Sequence, residues 1–101
     1  MNRYQKRKLQ MFRSIATLFV GGAPLWNRFE PINESFNEFS TTLALIEQFE
    51  EADLRQKVNK GYIRSLFSLA KESLEIMDDL VRAFVEDRNF MLTYKNIRKQ
   101  Q

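Results

Sequence analysis

From Leu25 to Ile46 the apolar residues recur at a strict helical interval. Leu25, Phe29, Ile32, Phe36, Phe39, Leu43 and Ile46 are separated by 4, 3, 4, 3, 4 and 3 positions. A strand would repeat every second residue, so this heptad seam predicts a helix with one buried face. Asn33, Glu34, Asn37, Glu38, Thr41 and Glu47 lie between the seam positions and form its solvated side. Pro31 falls inside the pattern and lacks a backbone donor. Because the seam keeps its phase across Pro31, the predicted helix runs over 24–50 with a kink or loosened turn there.

A second seam follows. Phe67, Ala70, Leu74, Met77, Val81 and Phe84 are spaced 3, 4, 3, 4 and 3, and Ile63, Leu66 and Leu80 widen the stripe. At 100° per residue Glu72, Glu75, Asp79, Arg82 and Glu86 fall on the opposite side, which predicts an amphipathic helix over 60–87. Its phase does not extend back through Leu54 and Val58, so a connection is expected within 51–61, with Asp53 and Gln56 able to cap a short turn.

The first segment carries two adjoining stripes, Leu9-Phe12-Ala16-Phe19 and Met11-Ile15-Leu18. That predicts a helix over 3–20 with apolar groups on nearly two faces. Gly21-Gly22 ends it with a glycine expected at positive φ, and Pro24 suits the first turn of the next helix. A short basic-then-apolar start could instead be a secretory leader. The run Ile15 to Val20 is interrupted by Thr17, ends in Gly-Gly and has no small-residue cleavage site after it, so the packed-helix reading is preferred. After Phe84 the stripe weakens at Asp87-Arg88-Asn89, and Phe90, Met91, Leu92, Tyr94 and Ile97 suggest a short last helix over 89–98.

The expected architecture is therefore all-α: a single domain over 1–101, an antiparallel bundle of three long helices with a short fourth. At 101 residues one core suffices, and nine Phe give that core large aromatic knobs. Phe12, Phe19, Phe29, Phe36, Phe39, Phe67 and Phe84 are expected to bury one another, each contributing about 1.5–3 kcal/mol when fully removed from water. Trp26, beside the Gly-Gly-Ala-Pro corner, is expected to plug the end of the core with its N–H on a loop carbonyl. The alternative for Trp26 is an exposed interaction hot spot.

Net charge is +3, distributed in blocks of alternating sign: +5 over 1–26, −6 over 27–53, +4 over 54–64, −3 over 65–88 and +3 over 89–101. Such alternation suits antiparallel neighbours that neutralise one another. A candidate anion contact remains in the first block, at Arg3, Lys6, Arg7, Lys8 and Arg13, with Tyr4 among them. No segment has the 18 apolar residues of a membrane span.

The chain contains neither His nor Cys, so disulfides, thiolate chemistry and the usual zinc donors are excluded. Glu30, Glu34 and Glu38, and Glu72, Glu75 and Asp79, recur at helical spacing but lie opposite the apolar stripes and read as solvated faces rather than a two-metal bundle site. Ser68-Leu69-Ala70-Lys71 matches S-x-x-K without its K-T-G and S-D-N companions. Asn33-Glu34-Ser35 matches a glycosylation acceptor inside a predicted helix. No cofactor, metal or catalytic residue is expected.

The order M-x-R-x-Q-x-x-x-L-x-M-F, A-P-L-W-x-x-F, N-E-F and, after a Lys-rich joint, S-L-F-S-L-A resembles an uncharacterised family of small bacterial helical-bundle proteins over residues 3 to about 94. The resemblance implies a helical bundle, about twice as long in other members, and carries no activity or site residue. This chain would then be the front half of a larger bundle, or a shorter relative completed by association. The sequence accordingly points to a cytoplasmic, non-enzymatic protein acting through protein contacts, first of all with itself or with another helical partner. Contact with nucleic acid or an anionic surface through the basic first helix is the alternative.

Overall fold

The computed structural model describes residues 1–53 and 59–100. Four helices follow in order: α1 (Arg3–Gly21), α2 (Glu30–Asp53), α3 (Lys60–Phe84) and α4 (Arg88–Arg98), with a 3-10 turn at Ala23–Leu25. Among the described residues there is no strand. The all-α bundle expected from the periodicity is the fold.

Side-chain caps set three helix starts. The Asn2 side chain accepts from the Gln5 N–H at 2.8 Å while Gln5 Oε1 accepts from the Asn2 N–H at 3.2 Å, so two first-turn donors of α1 are satisfied reciprocally. Asn59 caps α3 through the Tyr62 N–H and Asp87 caps α4 through the Phe90 N–H. The expected Asp53–Gln56 cap lies outside the described residues.

Contacts between the helices run in opposite directions along each pair. Phe12 meets Phe39 and Phe19 meets Phe36, which sets α1 against α2 head to tail. Phe29 meets Phe84 and Phe49 meets Tyr62, which does the same for α2 and α3. Phe19 meets Phe90 while Met11 lies by Arg98, so α4 runs back along α1. Most of both seams is buried: Ile32, Phe36, Phe39, Leu43 and Ile46 on α2, and Ile63, Leu66, Ala70, Leu74, Met77 and Val81 on α3. The wide apolar surface of α1 is covered by α2 on one side and by α4 on the other, through Phe90 and Tyr94.

The corner between α1 and α2 departs from expectation in three ways. First, α2 begins at Glu30, not near 24, so Pro31 sits in its first turn, where a missing donor breaks no helical bond, and no kink is needed. A helix continuing back to Pro24 would carry Trp26 off the core. The 3-10 turn brings it inward instead, and its indole N–H donates to the Phe19 carbonyl, one of the unpaired carbonyls at the end of α1, at 2.9 Å. Leu25, counted in the seam, is exposed as a result.

Second, neither Gly21 nor Gly22 has positive φ, and Gly22 lies at −104°. Gly22 is required by a close approach: a Cβ there would sit 2.9 Å from Phe90 Cε2 and 3.2 Å from the Leu18 carbonyl, whereas one on Gly21 meets nothing within 4 Å. Phe90 is held in the core and cannot step aside. Gly22→Ala is expected to lose about 1–3 kcal/mol, while Gly21→Ala, inside a helix, is expected to be neutral or to gain up to about 1 kcal/mol. Thermal melts of the two variants check this, and equal melting points would show that the Phe90 ring has room.

Third, α3 stops at Phe84 rather than 87, because Val85 turns inward with extended backbone and Asp87 starts the next helix. Phe84 was expected in the core. In the last turn of α3 it meets the Phe29 ring, with centroids 5.2 Å apart, and stays 37% exposed. Phe29 and Phe67 are half-buried.

Candidate functional site

Helices α1 and α3 are both in the bundle yet stay apart along their N-terminal halves. Phe12 reaches Phe67 across the gap, with ring centroids 5.7 Å apart. α4 lies against α1 between Phe19 and Met11 and is fastened to α3, so it closes the far half of this cleft and ends at Arg98. The open half is a groove of about 620 Å³, within the range of ligand and peptide sites. Its floor is Met11, Phe12, Phe67 and Leu74, and its rim carries Lys8, Arg64, Lys71 and Arg98 without a carboxylate.

Each basic residue arrives by a different route. Lys8 is on α1, one turn beyond Tyr4, whose ring its ammonium approaches at 5.5 Å. Arg64 and Lys71 are seven residues apart on α3, hence on one flank about 10 Å apart. Both are exposed, and among the described residues neither forms an ion pair. Arg98 ends α4 and is fixed by Asp78, with Nε to Oδ1 and Nη2 to Oδ2 both at 2.8 Å. Tyr94 Oη donates to the same Oδ1 at 2.6 Å. The Asp78 hydrogen bond raises the Arg98 pKa, and burial, followed by the bond to Asp78, pushes the Tyr94 hydroxyl far above its ordinary value. Arg98 Nη1 points toward Met11 Sδ at the groove's end.

The five basic residues singled out in the first segment are dispersed. Arg3, Lys6 and Arg7 are exposed on α1, and Lys8 alone of the five lines the groove. Arg13 faces α2, with Nη2 on Glu50 at 2.8 Å and Nε on Glu47 at 3.3 Å. These bonds, Glu50 first, raise its pKa. Trp26 is 6% exposed and packs against Phe19 and Phe36, so it presents no indole to a partner.

Arg64, Lys71 and Arg98 were not singled out from the sequence. The i, i+7 spacing of Arg64 and Lys71, flanking Phe67 and Leu74, was a usable signal, but the two lie in charge blocks of opposite sign. Ser68, first residue of the S-x-x-K match, lines the groove together with Lys71. Glu30, Glu34, Glu38, Glu72, Glu75 and Asp79 are all exposed, and no group of three or more metal-ligating side chains converges among the described residues. Asn33 is tied down, its amide donating to the Asn27 carbonyl at 2.7 Å, and Ser35 is buried. No helix among the described residues is long and apolar enough to cross a membrane.

What this arrangement can do is bind. A slot with an apolar floor and a cationic rim is complementary in charge and polarity to an amphipathic, acidic surface. Compared with family models, curated proteins and solved structures, the chain matches none.

Proposed function

We propose that the protein is a non-enzymatic interaction module whose α1–α3 groove takes an acidic amphipathic helix. The observation that carries this reading is the half-closed cleft: α4, a helix, occupies its far part, and the vacant part keeps an apolar floor beneath Lys8, Arg64, Lys71 and Arg98. Of the floor residues Phe67 is the half-buried one, and Met11, Phe12 and Leu74 lie in the core. Arg64 and Lys71 repeat at seven residues on either side of Phe67, which suits a docked helix whose apolar row is flanked by carboxylates at that interval. The cations then meet carboxylates flanking that apolar row, giving orientation and a faster encounter.

The test uses a synthetic helical peptide with leucines seven residues apart and glutamates beside them, titrated into dilute isotopically labelled protein. Backbone shifts are expected to cluster at Lys8, Arg64, Phe67 and Lys71, and R64E/K71E is expected to weaken binding by about tenfold or more. Absence of shifts at about 1 mM peptide, or equal shifts with a lysine-substituted peptide, would overturn the reading.

The exposed Arg3, Lys6 and Arg7 favour a second reading, contact with a polyanion. It predicts salt-sensitive retention of a DNA or RNA oligonucleotide, lost in the triple alanine variant and indifferent to R64E/K71E.

A further inference from the structure

A second face of α3 has the properties the groove calls for. Leu69 and Ile76 stand 50% and 51% exposed, seven residues apart, on the flank of α3 turned toward the outer side of α2. Glu72 lies between them, and Glu38 of α2 lines the same shallow trough with Asn37, Thr41 and Thr42. The trough carries two carboxylates and no cation, whereas the groove carries Lys8, Arg64 and Lys71 beside Arg98, whose charge Asp78 already answers. Leu69 and Ile76 are about 10 Å apart along the helix, the separation of Arg64 and Lys71 on the groove rim.

We infer that the occupant of the groove is the Leu69–Ile76 face of a second copy of this chain. The inference rests on the groove being a helix-docking site and adds the partner. Leu69 and Ile76 of one copy pack on the half-buried Phe67 and on the methylene stems of the rim cations of the next, while Glu72 and Glu38 meet the charged ends of Lys71, Arg64 and Lys8. The two surfaces occupy different flanks of α3, so the contact is not self-complementary. Each copy has one groove and one acidic row free for different neighbours, and association is head to tail, closing into a ring or continuing as a chain. The short apposed segments make a small, transient interface sensitive to salt.

Sedimentation velocity between about 10 and 500 µM, the regime of a small interface, tests this. Wild-type protein is expected to grow in mean mass with concentration and to dissociate as salt is raised. R64E/K71E reverses the charge of the groove and E38K/E72K that of the acidic row. All four residues are surface side chains away from the core, and circular dichroism verifies that each variant folds. Each variant alone is expected to stay monomeric. An equimolar mixture pairs the intact row of the first with the intact groove of the second, and the reversed groove of the first with the reversed row of the second, so it is expected to associate. The quadruple variant, with both charges exchanged, is expected to associate again. A wild-type chain monomeric throughout would overturn the inference, and peptide binding in the same groove would then leave the docking reading standing. Association that survives either double variant, or a mixture that does not associate, overturns it as well.

Discussion

Phe19→Ala is expected to lower the unfolding free energy by about 3–5 kcal/mol, a large part of the roughly 5–15 kcal/mol that holds an ordinary domain together. Phe19 is 0% exposed and four other rings converge on it. Phe36 stacks at 4.9 Å with planes 12° apart, Trp26 lies at 5.2 Å, and Phe90 and Tyr94 meet it edge-on at 5.3 and 5.9 Å. These partners come from the corner, α2 and α4, so the vacated volume cannot be refilled by one side chain moving alone. Urea unfolding followed by the fluorescence of Trp26, the sole tryptophan, reports on this hub directly. Phe84→Ala is the internal contrast: a half-covered ring with one aromatic neighbour is expected to cost less than about 1.5 kcal/mol. Similar losses at the two positions would mean that the ring cluster is not the centre of stability.

Asp78→Ala is expected to cost about 2–3 kcal/mol and to loosen α4 from α3. The carboxylate accepts two bonds from Arg98 and one from Tyr94, in side chains 22% and 30% exposed for the ion pair. Removal leaves a guanidinium and a hydroxyl with desolvated donors, a loss below that of a fully buried pair because water retains some access. Hydrogen exchange of the α4 amides should accelerate more than that of α2, and uniform acceleration would count against a local clamp. The same network sets an alkaline limb. Tyr94 keeps its proton in the folded state well above its ordinary 10.0, because burial and the bond to Asp78 disfavour the phenolate. The unfolded chain loses that proton above pH 10, so the contribution is fully present below pH 10 and is lost as pH rises beyond it, at about 1.4 kcal/mol per pH unit. Tyr94→Phe should lack this slope, and a parallel pH dependence in the variant would remove Tyr94 as its source.

Much of the fold could be read from residue order because helix periodicity is local. Ile32, Phe36, Phe39, Leu43 and Ile46 announce their shared face by spacing alone, and so do Ala70, Leu74, Met77 and Val81. Trp26 as a corner plug was legible too, since Gly-Gly and Pro mark the reversal next to it. The start of α2 was not, because the seam holds its phase through Leu25 and Phe29 although the chain there is pulled inward to bond Phe19. The positive φ expected at Gly21 or Gly22 is absent, and what demands a glycine at 22 is Phe90, 68 positions away, which no local rule could supply.

The amino-acid sequence by itself determined three long amphipathic helices with the apolar residues for a short fourth, most of the residues of their buried faces, and the absence of His and Cys chemistry. Only the tertiary structure decided which flanks came together. Lys8, Arg64, Lys71 and Arg98 belong to separate charge blocks and share a rim because α4 is too short to close the whole cleft between α1 and α3. Arg13, from the same basic block as Lys8, was drawn instead to Glu47 and Glu50. The physical reason is range: side-chain periodicity fixes which face of each helix is apolar within a few turns, whereas the meeting of charged flanks depends on helix lengths and on contacts closed across tens of residues.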